Sequence, residues 1–293
     1  MRTLLLMAVG VVAVSTSAPL IAVMTVPPLA ISFWRNGFAT VAMTPVALTG
    51  RRRELAGLGR RQVALVVASG LALAVHFGTW VTSVKLTSVA ASTALVCLQI
   101  GWVVAWQVLR GRRIGAGMAV GLVVAFAGVL VVSGVDVAVS RQALVGDLLA
   151  LAGGIAAAAY MLIGSRARQT MTTTAYTWVC YGSCAVALAV ACVVAGQPLG
   201  GYPLGQWGLL LLTTATAQLL GHSVFNHLLA TTRPVLVSLA LLLEVPGASL
   251  IAAFFLGQRP PVGTLVGLAV ILAGMALVVV NNHAPALRQP PVD

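Results

Sequence analysis

Glu244 stands in the run LALLLEVPGASLIAAFFL, which is apolar enough to lie in lipid. An ionisable group at that depth costs about 2.5–3.5 kcal/mol on insertion scales, so such groups face the bundle interior or a wet cavity. A carboxyl there can bind a cation or take up and release a proton. Two residues on, Pro246 brings no N–H and displaces the carbonyl four positions back, at Leu242. A loosened carbonyl beside a carboxyl is the kind of interrupted helix that transporters use for binding. On the preceding apolar run, Thr214, Gln218, His222 and Asn226 recur every four residues, which stacks them on one helix face. His222 is a second candidate for moving a proton, or a residue that ties helices together.

Three further sets complete the candidate lining. His76, Thr79, Trp80 and Ser83 fall at helical spacing on one face, as do Ser88, Ser92 and Gln99 further along. The plainer role for any one Ser or Thr is an interhelical hydrogen bond, worth about 0.6 kcal/mol on average. Arg35, beside Trp34, sits one to two turns inside its run. It is expected to snorkel to the surface, to hold an anionic solute group, or to pair with Glu244. Tyr160 is placed deep enough to face the same cavity. Trp102 and Trp106, and Tyr176, Trp178 and Tyr181, read as anchors at the membrane–water interface. Asp147 reads as an acid at a helix N-terminus, favourable there without any transport role. Cys97, Cys180, Cys184 and Cys192 all lie in apolar runs and are expected as reduced, packed thiols.

These residues need membrane-spanning helices to hold them. The 293-residue chain is 60% hydrophobic and 8% charged, with mean hydropathy +1.03. A soluble domain carries roughly 25% charged residues, so this is an all-α integral membrane protein. Spans are predicted near 4–23, 29–48, 63–84, 87–109, 116–135, 146–164, 175–195, 207–229, 235–256 and 262–280, ten in all. The net charge of +12 does not signal nucleic acid, because its distribution follows the spans. With the N-terminus inside, thirteen basic residues fall on inner segments and only Lys85, Arg141 and Arg259 on outer ones. That bias predicts cytoplasmic N- and C-termini in the cell membrane. The loop from Gly50 to Gln62, with five arginines, reads as an inner-leaflet anchor.

A single shift of 146 residues (222 minus 76) pairs His76 with His222, Ser92 with Ser238, Gly111 with Gly257, Arg113 with Arg259, Gly121 with Gly267 and Gly128 with Gly274. A gapless shift through five helices indicates duplication. Five is odd, so the two copies insert in opposite senses, as an inverted repeat with the solute site expected at the repeat interface. The boundaries follow as residues 1–142 and 143–283, with a short tail at 284–293. The first segment has features of a signal peptide, but the repeat requires it as a span.

The runs GDLLALAGGIAAAAY, LLGHSVFNHLL, RPVLVSLALLLEVPGASLIAAFFLGQRP and LVGLAVILAGMALVV resemble the second half of the EamA family in the drug/metabolite transporter superfamily. FWRNGFATVAMTP and HFGTWVTSVKLTSVAASTALVCLQ resemble its first half. The resemblance implies ten helices in two inverted repeats that move small organic solutes, often outward, by alternating access. It carries Arg35, the His222 and Asn226 helix, and Glu244 with Pro246 onto this chain. Ile100 stands where the first repeat commonly has proline, which removes the local signal for a kink. Gly111-Arg112-Arg113 and Gly257-Gln258-Arg259 replace loops that often carry an acid.

The expected protein is therefore a secondary transporter, an exporter of metabolites such as amino acids, amines, nucleobases or drugs. Its expected solute-binding residues are Arg35, His76, Trp80, Gln99, Tyr160, Gln218, His222, Asn226 and Glu244, and Glu244 is the candidate for proton coupling. It is expected to act as a monomer or homodimer in the bilayer, without cofactor, metal or nucleic acid. No GxxxxGKS run points to ATP. The alternatives are an intramembrane enzyme built on His222, His227 and Glu244, or a non-transporting receptor. The two histidines point about 140° apart on a helix, a poor start for a shared metal, and a receptor would need a long soluble segment for its partner.

Overall fold

The computed structural model describes residues 2–111, 113–221, 224–225 and 240–281, and all of its regular structure is helical. The chain starts with α1 (Arg2–Ser15) and α2 (Ser17–Val23), two pieces of one apolar span separated at Thr16. Pro19 explains the break: it offers no N–H to the Ser15 carbonyl four residues back. Pro27 and Pro28 then open α3 (Pro28–Gly50), where a missing donor costs nothing. The short α4 (Arg52–Ala56) leads into the unbroken α5 (Arg60–Leu86).

The fourth predicted span is split into α6 (Val89–Cys97) and α7 (Gln99–Leu109). The Leu98 N–H bonds back only three residues, to Leu95 O at 3.3 Å, so the helix breaks here without the proline that Ile100 replaces. Next come α8 (Ala116–Val139), α9 (Arg141–Ala167) and α10 (Thr173–Val194). Helix α11 (Leu204–Thr213) passes directly into a π-helical segment, Thr214–Gly221. The described chain resumes before α12 (Glu244–Leu256) and closes with α13 (Val262–Val280). Among the described residues, six helical stretches are long and apolar enough to cross a membrane, and Ala116–Val132 and Ala240–Leu256 are shorter apolar helices.

The largest packing pairs are α5 with α9, α8 with α13, and α3 with α10. Helices α8 and α13 meet at their glycines. A Cβ on Gly121 would come within 2.7 Å of Gly274 O, and one on Gly128 within 2.8 Å of Gly267 O. Backbones this close exclude any larger side chain at the crossing.

Three expectations change. Helix α9 starts at Arg141, capped by Ser140, whose hydroxyl accepts from Ala143 N at 3.0 Å. Asp147 is therefore two turns inside, fully buried, and not at a helix N-terminus. Tyr176 and Tyr181 are buried, at 4% and 5% exposure, because α10 packs against α3 and α5 from its first turns; they are not interface anchors. Trp102 packs edge-on against Phe126 and lies against Gly154 of α9, whereas Trp106 is exposed and carries Arg110 over its ring.

Hydrogen bonds tie loops together at each end of the bundle. At the arginine-rich end, Glu54 accepts from Thr172 N and Thr172 Oγ1, both at 2.7 Å, and Gln62 Nε2 donates to Thr170 Oγ1. At the opposite end, Thr25 N donates to Gln206 Oε1 at 2.8 Å, Leu29 N to Gln197 Oε1 at 3.1 Å, and Trp34 Nε1 to Leu199 O at 2.9 Å.

Candidate functional site

Arg35 is the centre of the described polar interior. It sits two turns into α3 at 2% exposure, one of the largest fully buried side chains. Its Nε donates to Gln218 Oε1 at 2.6 Å and an Nη to Ser17 Oγ at 2.9 Å. The guanidinium lies over the Phe77 ring, 4.5 Å from the centroid. Burial of a cation is tolerable when such acceptors and a π face meet it. Arg35 thus does not snorkel outward, the first of the roles expected for it.

Each partner comes from a place where a helix is interrupted. Ser17 opens α2 just past the break at Thr16, and Gln218 lies in the π segment. Within and at the start of that segment the Thr214 and Thr216 hydroxyls bond back to Leu210 O and Leu212 O at 2.8 Å, competing for carbonyls of the ladder, as Thr40 and Thr44 do in α3 without changing its helix type. Thr16 and Thr216 then join the two interruptions, Oγ1 to Oγ1 at 3.1 Å. Single π turns inside α-helices are frequent at functional sites. Thr214 and Gln218 both remain buried, so the polar stripe faces inward although its ladder is not α-helical. His222 and Asn226, its predicted continuation, lie outside the described residues.

Glu244 is half-buried at the start of α12, next to a third interruption at Leu243. Leu243 N bonds back three residues to Ala240 O, and the ladder resumes with Gly247 N to Leu243 O. Pro246 falls in the first turn of α12, where it ends the preceding helical stretch as its missing donor requires. Glu244 is within electrostatic range of Arg35 and of Cys97, the last residue of α6. The breaks at Thr16, Thr214–Gly221 and Leu243 therefore gather around one guanidinium.

Beside this cluster, His76 is within electrostatic range of Arg35. Its ring lies parallel to Trp80, 5.9 Å between centroids, and its Nδ1 is 3.0 Å from Gly153 O. Gly153 lets α9 pass close to α5 here, since an added Cβ would lie 3.0 Å from Thr79 Oγ1 and 3.3 Å from Trp80 Cβ. Gln99 is half-buried just after the break at Leu98. Tyr160 belongs to a neighbouring seam with Tyr176 and Ser69, the latter two joined at 2.7 Å, and is within electrostatic range of Tyr181. An apolar recess of about 400 Å³, lined by Ala240, Leu242, Leu243, Pro246, Leu272 and Ala276, flanks the α12 break and includes none of the polar candidates.

Two members were missed in the sequence. Ser17 looked like one small residue among several. Tyr181, whose hydroxyl meets the Gln218 side chain, was assigned to the interface. The repeat held the signal, because the 146-residue shift that pairs the other positions also pairs Arg35 with Tyr181.

The profile of a family described as "EamA-like transporter family" matches residues 1–134 and again 144–280. Nothing among curated proteins matches the chain. Among solved structures 19 chains match. One, titled only "Crystal structure of protein", is 15% identical, with TM-score 0.64 over 97% of this chain and 99% of its own, a likeness of fold.

Proposed function

The chain belongs to the EamA-like transporter family, and from that we propose a secondary transporter that moves small organic solutes by alternating access. The observation that carries the reading is the gathering of three helix interruptions around the buried Arg35. Interrupted helices supply loosened backbone groups and bistable joints at membrane depth, and that is where secondary transporters bind their cargo. The solute site comprises the Arg35, Gln218 and Glu244 cluster and the adjoining His76, Trp80 and Gln99 wall, with Tyr160, His222 and Asn226 as further lining. Export of amino acids, amines, nucleobases or drugs suits a cavity with one cation, one acid and aromatic walls.

Ten spans in two inverted repeats are the architecture that goes with this reading. Two features support it. Repeat-related helices pack against each other, α3 with α10 and α8 with α13. The two halves also match one family profile separately. The arginine-rich end is assigned to the cytoplasm and the opposite end to the outside, with both termini cytoplasmic. Glu244 is the proton carrier in this scheme, because it is the acid beside both Arg35 and an interrupted helix.

The test is transport in liposomes of purified protein, following a metabolite panel by mass spectrometry with and without a pH gradient. Gradient-driven movement of a few compounds, lost in a folded Glu244→Gln variant, is expected. Movement indifferent to both gradient and variant removes Glu244 from the coupling. No movement of any compound from well-folded protein removes the transport reading.

A further inference from the structure

Lys85 takes no part in the solute site, yet it is one of only three basic residues on the segments predicted to lie opposite the arginine-rich loops. It ends α5, and its ammonium reaches across to the end of α2. There it donates to Ile21 O at 2.5 Å, to Met24 O, and more weakly to Ala22 O at 3.4 Å. Those carbonyls are exposed for a reason partly legible in the sequence. The residues that would donate to Val23 O and Met24 O are 27 and 28, both proline, and Thr25 N, which could have continued the ladder onto Ile21 O, goes instead to Gln206 Oε1. A helix end with unsatisfied carbonyls and the negative pole of its dipole is a natural seat for an ammonium with three donors.

Helix α5 packs against α2, α3 and α10, and Ser32 Oγ of α3 donates to Phe77 O of α5 at 3.1 Å, while the hydrogen bonds between loops fall at the two opposite ends of this assembly. At the arginine-rich end, α4 and the start of α5 are tied to the turn between α9 and α10, through Glu54 with Thr172 and Gln62 with Thr170. The α1–α2 span packs with α11 and the π segment. At the other end Thr25, between α2 and α3, is tied to Gln206 of α11, and Leu29 of α3 to Gln197 in the loop before α11. The end of α5 that carries Lys85 is therefore the end away from its own fastening. Swinging it about the arginine-rich end moves Lys85 directly off α2, whose own end there stays pinned.

We propose that Lys85 is a latch that closes the solute pathway at the face opposite the arginine-rich loops, a role that rests on the alternating-access reading above. The latch is one-sided: the 146-residue shift places Thr231, an uncharged residue, at the equivalent position of the other repeat. It therefore biases the resting protein toward being closed on the Lys85 face. The latch is also reversible, because a released lysine extends its stem and hydrates its ammonium.

The test reads the distance between α9 and α11, not transport. Spin labels are placed at Gln142, exposed at the start of α9, and Leu204, exposed at the start of α11, with the four native cysteines buried. In wild type a single short distance is expected to dominate. In Lys85→Met, and in Lys85→Gln should the first variant not fold, a longer-distance population that is minor in wild type becomes the major one. An unchanged distribution in folded Lys85→Met or Lys85→Gln overturns the latch. Solute movement with unchanged distances overturns the latch alone. A population shift in protein that moves no solute overturns the transport reading alone.

Discussion

The α8–α13 seam and the Arg35 seam treat the same 146-residue repeat in opposite ways. Along α8 and α13 the repeat is kept: Gly121 approaches Gly274 and Gly128 approaches Gly267, and the shift maps each pair onto the other. Around Arg35 it is broken. Arg35 is matched by Tyr181, Gln218 by Ala72, Glu244 by Leu98 and Pro246 by Ile100. The glycine seam needs only close backbone contact, which two copies supply equally. The polar seam needs one cation with its acceptors, and two copies of a buried arginine would repel. The side chains diverged where charge is handled and stayed alike where helices only pack.

The sharpest way to break this contrast is to remove the charge that creates it. Arg35→Met keeps an apolar stem but strands Gln218 without its donor and leaves Glu244 uncompensated. Removing one member of a buried charged network costs about 3–5 kcal/mol. The expected result is the largest fall in detergent melting temperature of any variant considered, with loss of transport. Arg35→Lys should recover part of the stability only, because an ammonium cannot reproduce the guanidinium's fork of bonds to Gln218 and Ser17 together with its face on Phe77. Full recovery by lysine would mean that the charge alone is what matters.

The glycine seam makes the opposite prediction. Gly128→Ala and Gly274→Ala each drive a Cβ into backbone of the facing helix, which must move away. Overpacking of this kind costs about 1–3 kcal/mol. The two variants should lose similar stability, since they are related by the shift, and the protein that folds should transport with an unchanged apparent affinity. Unequal losses, read by thermal unfolding of both variants side by side, would show that this seam has diverged as well.

Much of this was legible in the sequence, and the parts that were not share a physical cause. Hydropathy located the helices, because burial in lipid demands long apolar runs. Prolines located the ends around residues 27 and 28 and the interruption before Pro246. The break at Leu98 was not legible, because no proline or glycine marks it and only a tightened bond from Leu98 to Leu95 records it. Asp147 was misplaced because the apolar run begins after it, whereas the helix begins where Ser140 caps it. Tyr176 and Tyr181 read as interface anchors in the sequence because an aromatic near a helix end looks the same whether a lipid headgroup or a neighbouring helix covers it. Arg35, Gln218 and Glu244 were each recognisable as polar residues in apolar runs. Their meeting was not, since it depends on the crossing of α2, α3, α12 and the π segment.

The smallest expected effect tests the cause of the π segment itself. Helix α5 occupies the same register as α11 and the π segment, yet it is one unbroken helix of 27 residues. The threonines differ: Thr213, Thr214 and Thr216 fall opposite Val67, Ala68 and Gly70 of α5. If side-chain bonds to Leu210 O and Leu212 O divert the ladder, then Thr214→Ala with Thr216→Ala should return the stretch toward α-helical bonding. The change in stability should be within about 1 kcal/mol, because a poor bond pattern is exchanged for a better one while two side-chain bonds are lost. Transport should fall more than stability, since re-registering the ladder rotates Gln218 away from Arg35. Amide hydrogen exchange across Leu210–Gly221 reads the ladder directly. Slower exchange with weakened transport would assign the π segment to positioning Gln218, and unchanged exchange would move the cause from the threonines to the packing of α1 against this stretch.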